Sequence, residues 1–291
     1  MTISKRHHYL PQFYLRGFTN DQEEFFVFDK VSEEIRKSNP INSFFENHRN
    51  TAKVQEEKSA LLEDMYAHFD SVTAPQLEKI RIATQDNFVL EPEILHRIKM
   101  FITQMYWRVP ENDQEFEKVI NDLSFSDAGF DFVDKVTGKS VATKELQEQM
   151  KDIDLFRKMY RVIIPLISAQ EKYKSIDYEN WRVYFRGNKF QLTSDNPLII
   201  EKFVDFSSLN RELLFPLCSD KIFVHTIRPK PKNLPSIFLL HLDMLIIQQA
   251  TRFVCCSDRF YLEYLVNNFY SFSKNYDFTE KMKESVFGYF A

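Results

Sequence analysis

Glycine is scarce in this chain, with 5 in 291 positions. No GxGxxG and no GxxxxGK[ST] occurs, which excludes the glycine-rich phosphate cradles of dinucleotide-binding and P-loop proteins and leaves no nucleotide-cofactor motif. Zinc-protease signatures and a nucleophile elbow are missing as well, so kinases, dehydrogenases, zincins and α/β-hydrolases are set aside. Cysteine is almost as rare. Cys218, Cys255 and Cys256 are too few and too poorly spaced for a disulfide framework or a CxxC metal site, and are expected as reduced, partly buried thiols. There is no surplus of basic charge: the formal net charge is −4 and the pI about 6.0, unlike a non-specific nucleic-acid binder. Long apolar runs are also lacking. FLLHLDMLII is interrupted by His241 and Asp243 and is too short to span a bilayer. Charges occupy the N-terminus where a signal peptide needs an apolar stretch. A soluble, cytoplasmic protein with no membrane partner is expected.

The chain is rich in aromatic residues. With 29 Phe and 13 Tyr, its core must be built from large flat side chains. The length suffices for a substantial core without disulfide or metal staples. No Pro/Gly/Ser-rich linker divides it, so residues 1–291 are read as one domain.

Along the chain, EFFVFDK and EEIRKSN predict a hairpin. Leu61, Leu62, Met65, Tyr66 and Phe69 recur at three- and four-residue steps and mark a helix face, and a second helix runs from Pro92 to Val109, stopped by Pro110. A shorter helix is expected over 112–125, a polar excursion over 126–140, and a long amphipathic helix from Thr143 to Ala169, bent at Pro165. The helical subregion spans about 55–172. Strand-like runs follow: WRVYFRG, KFQLTS, PLIIEKF, ELLFPLC and KIFVHTI. Gly187 and Asn188 suggest a two-residue turn between the first two. Helices over 237–249 and 279–287, the latter capped by Thr279, close the chain. The sum is an α+β fold: a mainly antiparallel sheet, formed by the N-terminal hairpin plus strands in 181–227, with the helical middle packed on or beside it.

Three groups of polar residues could carry chemistry. His7 and His8 open the chain in KRHHYLPQFYLRGF. Imidazole can act as a base, a ligand or a phosphate contact, but adjacent residues of an extended segment point opposite ways, so one faces inward. Pro11 is expected to hold this segment straight. QLTSDNP, residues 191–197, reads as a tight turn, yet it also gathers Ser194, Asp195 and Asn196 at a strand end, where they could orient water, hold a metal or bind a substrate. In the helical middle, Gln104 and Arg108 share one helix face, as do Glu63 and Asp70. The Arg108 fork suits phosphate or carboxylate, or a salt bridge to Glu63 or Asp70. Basic clusters lie at Lys5, Arg6 and Arg16 and at Arg228, Lys230 and Lys232, the usual pattern of solvated loops.

HHYLPQFYLRGF (7–18), TQMYWRVP (103–110), FQLTSDNPLI (190–199) and LLFPLCSDKIFV (213–224), in this order, resemble an uncharacterised bacterial domain-of-unknown-function family. That family opens with HHY-x-P-x-FYL-x-F and carries a later TSDNP turn followed by a PLS/C-type strand. Cys218 stands where a small hydroxyl residue is expected. The resemblance implies a coherent fold and a site where the motifs meet, without a reaction.

Two functions are expected from these residues. The first is a phosphodiester- or nucleotide-directed hydrolase, a nuclease-like effector of a bacterial defence or toxin system. His7 or His8 would be its base, Asp195 and Glu63 would hold water or a divalent metal such as magnesium, and Gln104, Arg108, Ser194 and Asn196 would bind substrate. Its partner would be nucleic acid or a nucleotide. The second is a non-enzymatic ligand-binding or regulatory module in which the same residues recognise a ligand or tie the helical middle to the sheet. Convergence of His8, Arg108 and Asp195 in an open pocket favours an enzyme or a ligand-binding site; burial with internal pairing favours structural ties.

Overall fold

The computed structural model describes residues 4–54, 57–122, 133–141, 143–172, 178–202, 212–274 and 277–290. The first part of the polar excursion, 126–132, lies outside the described residues.

The chain begins with β1 (Arg6–His8), then α1 (Gln12–Leu15), a single helical turn, and the hairpin β2 (Phe25–Asp29) and β3 (Glu34–Ser38). Three short strands follow: β4 (Phe45–Asn47), which pairs with β1, and β5 (Ala52–Val54) with β6 (Glu57–Ser59). Pro11 does not keep the opening straight. It stands at the N-cap of α1, with extended φ and ψ of −59° and 140°, because a fixed proline φ also suits the entry to a helix.

The helical middle comprises α2 (Leu61–Ile82), α3 (Pro92–Arg108), α4 (Asp113–Asp122), α5 (Lys144–Lys151) and α6 (Asp154–Lys172). The amphipathic pattern from Thr143 divides at Asp152 and Ile153, whereas α6 runs through Pro165. Asp154 explains the division: its carboxylate accepts from Lys53 N–H and pairs with Lys158, a first-turn placement that favours a new helix start.

The remaining elements are β7 (Trp181–Phe185), β8 (Thr193–Ser194), β9 (Ile199–Ile200), β10 (Leu213–Cys218), β11 (Lys221–His225), α7 (Ser236–Gln249), β12 (Phe253–Cys256), α8 (Arg259–Phe272) and α9 (Phe278–Gly288). The last helix takes Asp277, not Thr279, as its N-cap position. The fold is α+β with antiparallel sheets, but, beside the two-stranded pairs β1–β4 and β5–β6, the strands divide into two four-stranded sheets. Their orders are β7-β11-β10-β9 and β3-β2-β12-β8. The N-terminal hairpin therefore joins β12 and β8, and β7 and β8 form no hairpin across Gly187 and Asn188. The reason is visible in the backbone: Arg186 N–H donates to Asp220 O and Gln191 N–H donates to Ser219 O. Both ends of that loop are thus bound to the turn before β11 rather than to each other.

Both sheets send alternate residues to the same two cores, as the strand period of two requires. Phe215, Phe223, Val183, Val27 and Cys255 face the core shared with α1, α2 and α3. Leu214, Ile222, Tyr184, Phe28 and Val254 face the core shared with α7, α8 and α9. Trp107, Phe116, Ile120 and Tyr160 form a third cluster among α3, α4 and α6. Among the described residues, no helix is long and apolar enough to cross a membrane.

Candidate functional site

The extended β1 puts His7 and His8 on opposite sides. His7 is fully buried. Its Nδ1 accepts from Asn50 N–H at 2.8 Å and its Nε2–H donates to Ser4 O at 2.8 Å. Both ring nitrogens are consumed, and the proton belongs on Nε2. Glu63 Oε1 stands 3.5 Å from Nδ1, but accepts its own hydrogen bond from Asn50 Nδ2. His8 is half-buried, with Nε2–H donating to Ile41 O at 3.2 Å and Nδ1 facing Gln12 Nε2 at 3.5 Å. Burial pushes its pKa below the ordinary imidazole value, and the Arg108 charge adds to this.

Arg108 is buried on the inner face of α3. Its Nη1 and Nη2 grip Asp70 at 2.9 and 3.3 Å, its Nε donates to His8 O at 3.1 Å, and its guanidinium stacks 4.4 Å from the Tyr66 ring. The fork is a tie between α2, α3 and the opening segment. Gln104, one turn earlier, is buried with Nε2 unpaired.

The SDNP turn is a second knot. Asp195 Oδ1 accepts from Thr251 N–H at 2.9 Å, and Oδ2 accepts from Arg252 and Phe253 N–H at 2.7 and 2.8 Å. Burial pushes its carboxyl above the ordinary range against the pull of these three donors. Ser194 Oγ accepts from Asn196 N–H, the expected turn bond. Asn196 is clasped to the end of α7 through Gln249, whose Nε2 donates to Asn196 O and Leu198 O.

Thus His7, His8, Glu63 and Arg108 are brought together, and Ser194, Asp195 and Asn196 are brought together. No bond joins the two groups. They approach through Tyr9, whose hydroxyl is pushed far up by burial and then by the Asp195 charge. Glu63 and Asp195 do not share a centre fit for magnesium: one carboxylate is held by Asn50 and the other by backbone donors. Among the described residues, no group of three His, Cys, Asp or Glu side chains could hold a metal ion.

Sequence reasoning missed a third network. Asp243, fully buried on α7, accepts from Arg186 Nη1 at 3.0 Å, Gln191 Nε2 at 2.6 Å and Tyr261 OH at 2.6 Å. A lone carboxylate inside FLLHLDMLII was the available signal, since a buried charge requires partners.

The open chemistry lies behind the first knot. Asn50 holds His7 and Glu63, and the Nε of neighbouring Arg49 donates to Arg108 O at 3.2 Å. Arg49 and Asn50 therefore stand fixed on one wall of a cavity of about 240 Å³. The cavity is also lined by the carboxylates Glu46, Asp113, Glu117 and Asp154 and by Arg157, Lys158 and Arg161 of α6. Arg49 grips Asp113 with two bonds of 2.6 and 3.1 Å, and Arg161 reaches the same carboxylate. Phe116 lies 4.4 Å beneath the Arg161 guanidinium. Arg49 and Arg161 side chains are 9% and 14% exposed, whereas Asp113 is 39% exposed, so two shielded cations converge on one accessible anion. Burial opposes the Arg49 charge, but the hydrogen bonds and charges of Asp113 and Glu46 together outweigh it and hold its pKa above the ordinary value.

A family model described as Protein of unknown function (DUF4238) matches residues 6–260, and the chain belongs to this family. Searches of curated proteins and of solved structures find no match.

Proposed function

We propose that the protein is a recognition module for a phosphate-bearing ligand, a nucleotide or a phosphodiester segment, bound in the charged cavity beside residues 46–50. The observation that carries this reading is the convergence of Arg49 and Arg161 on Asp113. A pair of guanidiniums is matched to the oxygens of carboxylate or phosphate, and here an accessible side-chain carboxylate occupies the position an incoming phosphate would take. Arg157 and Lys158 line the same cavity, but each is already paired with a carboxylate of the lining, Glu117 and Asp154, so the reading rests on Arg49 and Arg161. Recognition is favoured over hydrolysis because His7 and Asp195, expected to be catalytic, and Arg108, expected to bind substrate, are engaged with internal partners.

Competition between Asp113 and ligand gives opposite signs to two substitutions. Titration of fluorescent ATP and of a labelled oligonucleotide should show weaker binding by about 10- to 100-fold in Arg161→Gln, from the loss of a charge-assisted contact. Binding should be tighter in Asp113→Asn. Unchanged or weaker binding in Asp113→Asn overturns the proposal, and magnesium-dependent release of phosphate or of nucleotides by the wild type returns the case to a hydrolase.

A further inference from the structure

The pairing of β7 with β11 fixes the direction of every backbone group in β7. Arg186 N–H donates to Asp220 O at 2.7 Å and Thr226 N–H donates to Asn180 O at 3.0 Å, at the two ends of a register that sets Trp181 opposite His225 and Phe185 opposite Lys221. In an antiparallel ladder the bonded pairs alternate with non-bonded ones. Arg182 and Tyr184 are therefore bonded to β11, and the N–H and C=O groups of Trp181, Val183 and Phe185 point away from the sheet. Among the described residues no strand lies on that side, because β7 ends the sheet.

A groove of about 300 Å³ runs along this free edge, lined by the whole of β7, by Gln85, Phe88 and Leu90 on the far wall, and by Lys232 at the rim. That volume holds about ten waters. Proteins blunt exposed edges with short strands and charged side chains, and the other edges here follow that rule. β8 and β9 have 2 residues each, and β3 carries Glu34, Arg36 and Lys37. By contrast β7 reads Trp-Arg-Val-Tyr-Phe. It is a five-residue apolar edge whose Trp181, Val183 and Tyr184 side chains are buried, and the loop after β11 is tied to it: Pro231 O accepts from both Arg182 Nη1 and Tyr184 OH, and Lys232 and Asn233 line the groove. The charged residues that line the groove are Arg182 and Lys232, with no carboxylate among the lining residues.

We propose that this edge binds an extended acidic peptide segment of a partner protein, added as a further strand of the sheet. The outward donors and acceptors of Trp181, Val183 and Phe185 supply the ladder, and Arg182 and Lys232 supply the preference for acidic side chains. A polypeptide backbone offers the alternating donors and acceptors that this edge needs; a sugar-phosphate backbone does not. The groove lies apart from the Arg49 and Arg161 cavity, so the two proposals stand or fall separately.

The test is fluorescence polarisation of the full chain with three labelled ten-residue peptides: alternating Glu and Thr, alternating Lys and Thr, and the Glu/Thr peptide N-methylated at alternate residues. The acidic peptide should bind, the lysine peptide should not, and N-methylation should weaken binding at least about tenfold, because it removes ladder donors without changing charge. Val183→Pro removes an outward N–H and no bond to β11. It should also weaken binding at least about tenfold in the folded fraction, with a lower thermal midpoint because Val183 packs in the first core. Lys232→Glu, on an exposed loop, should weaken binding several-fold, and it decides the matter if Val183→Pro does not fold. Equal binding of acidic and basic peptides, or of parent and N-methylated peptides, overturns the proposal. So does a single-stranded oligonucleotide that displaces the acidic peptide and loses affinity in Lys232→Glu.

Discussion

Asp195 accepts backbone hydrogen bonds from three consecutive residues, Thr251, Arg252 and Phe253, and so fixes the turn that starts β12. Replacing it with alanine leaves these donors without an acceptor. A buried unpaired group costs about 1–3 kcal/mol, and a kcal/mol shifts the midpoint of a chain of this size by about 2–4 °C. Calorimetry of Asp195→Ala should show a midpoint lower by at least about 5 °C, with ligand binding at the Arg49 and Arg161 cavity retained in the folded fraction. A midpoint within about 2 °C of wild type would mean that water replaces the carboxylate. Half of this role was legible in advance. Ser, Asp and Asn before Pro197 announce a turn, because short polar side chains bond the backbone next to them. The partners of Asp195 lie more than fifty positions later, and no local pattern marks backbone donors as recipients of a particular carboxylate. The same holds for Arg108. A salt bridge to Asp70 was one of its expected forms, but the bond to His8 O depends on how the opening segment is packed.

At the level of elements, legibility follows periodicity. The hairpin β2–β3 and helices α2 and α3 were readable because their apolar residues repeat at steps of two or of three and four, whereas α7 is apolar on nearly every face. β12 was not readable, since Phe-Val-Cys-Cys shows no alternation, and α8 was not, since its aromatic residues also suit strands. The division into two sheets left no trace in the sequence, because it is made by tertiary bonds. Tyr14 is one of them: its hydroxyl donates to Pro216 O of β10 at 2.9 Å and meets Thr193 Oγ1 of β8 at 2.7 Å. One phenol on α1 thereby links a strand of each sheet, fully buried. Tyr14→Phe keeps the ring packing and strands a carbonyl and a hydroxyl, so chemical denaturation should report a loss of about 1–3 kcal/mol. Thr193→Val, which removes one bond of the pair, should cost less, and the double variant should cost less than the sum, because the two side chains share one network. Full additivity would show that Tyr14 and Thr193 act independently.

For the whole molecule, the boundary of the family match and the boundary of the folded core differ. The match ends at residue 260, one position inside α8, yet the second core is completed by residues beyond it: Leu262, Leu265, Val266, Phe269, Phe278, Val286, Phe287 and Phe290 are all buried there. Burial of such a side chain stabilises by about 1.5–3 kcal/mol, so together they contribute more than about 10 kcal/mol even at the lower figure. A domain's entire stability is about 5–15 kcal/mol. Tyr261, which donates to the buried Asp243 carboxylate, falls in the same segment, and its loss would leave that charge short of a partner. A chain ending at Phe260 should therefore show no cooperative thermal transition and should expose apolar surface to a hydrophobic dye, although it retains every matched residue. Restoring α8 alone, by ending the chain at Ser273, should recover part of the transition, because Leu262, Leu265, Val266, Phe269 and the Tyr261 bond return while Phe278, Val286 and Phe287 stay absent. A cooperative transition at the wild-type midpoint in the chain ending at Phe260 would show that the sheets and the helical middle fold without this layer, and that α8 and α9 are an addition rather than a wall of the core.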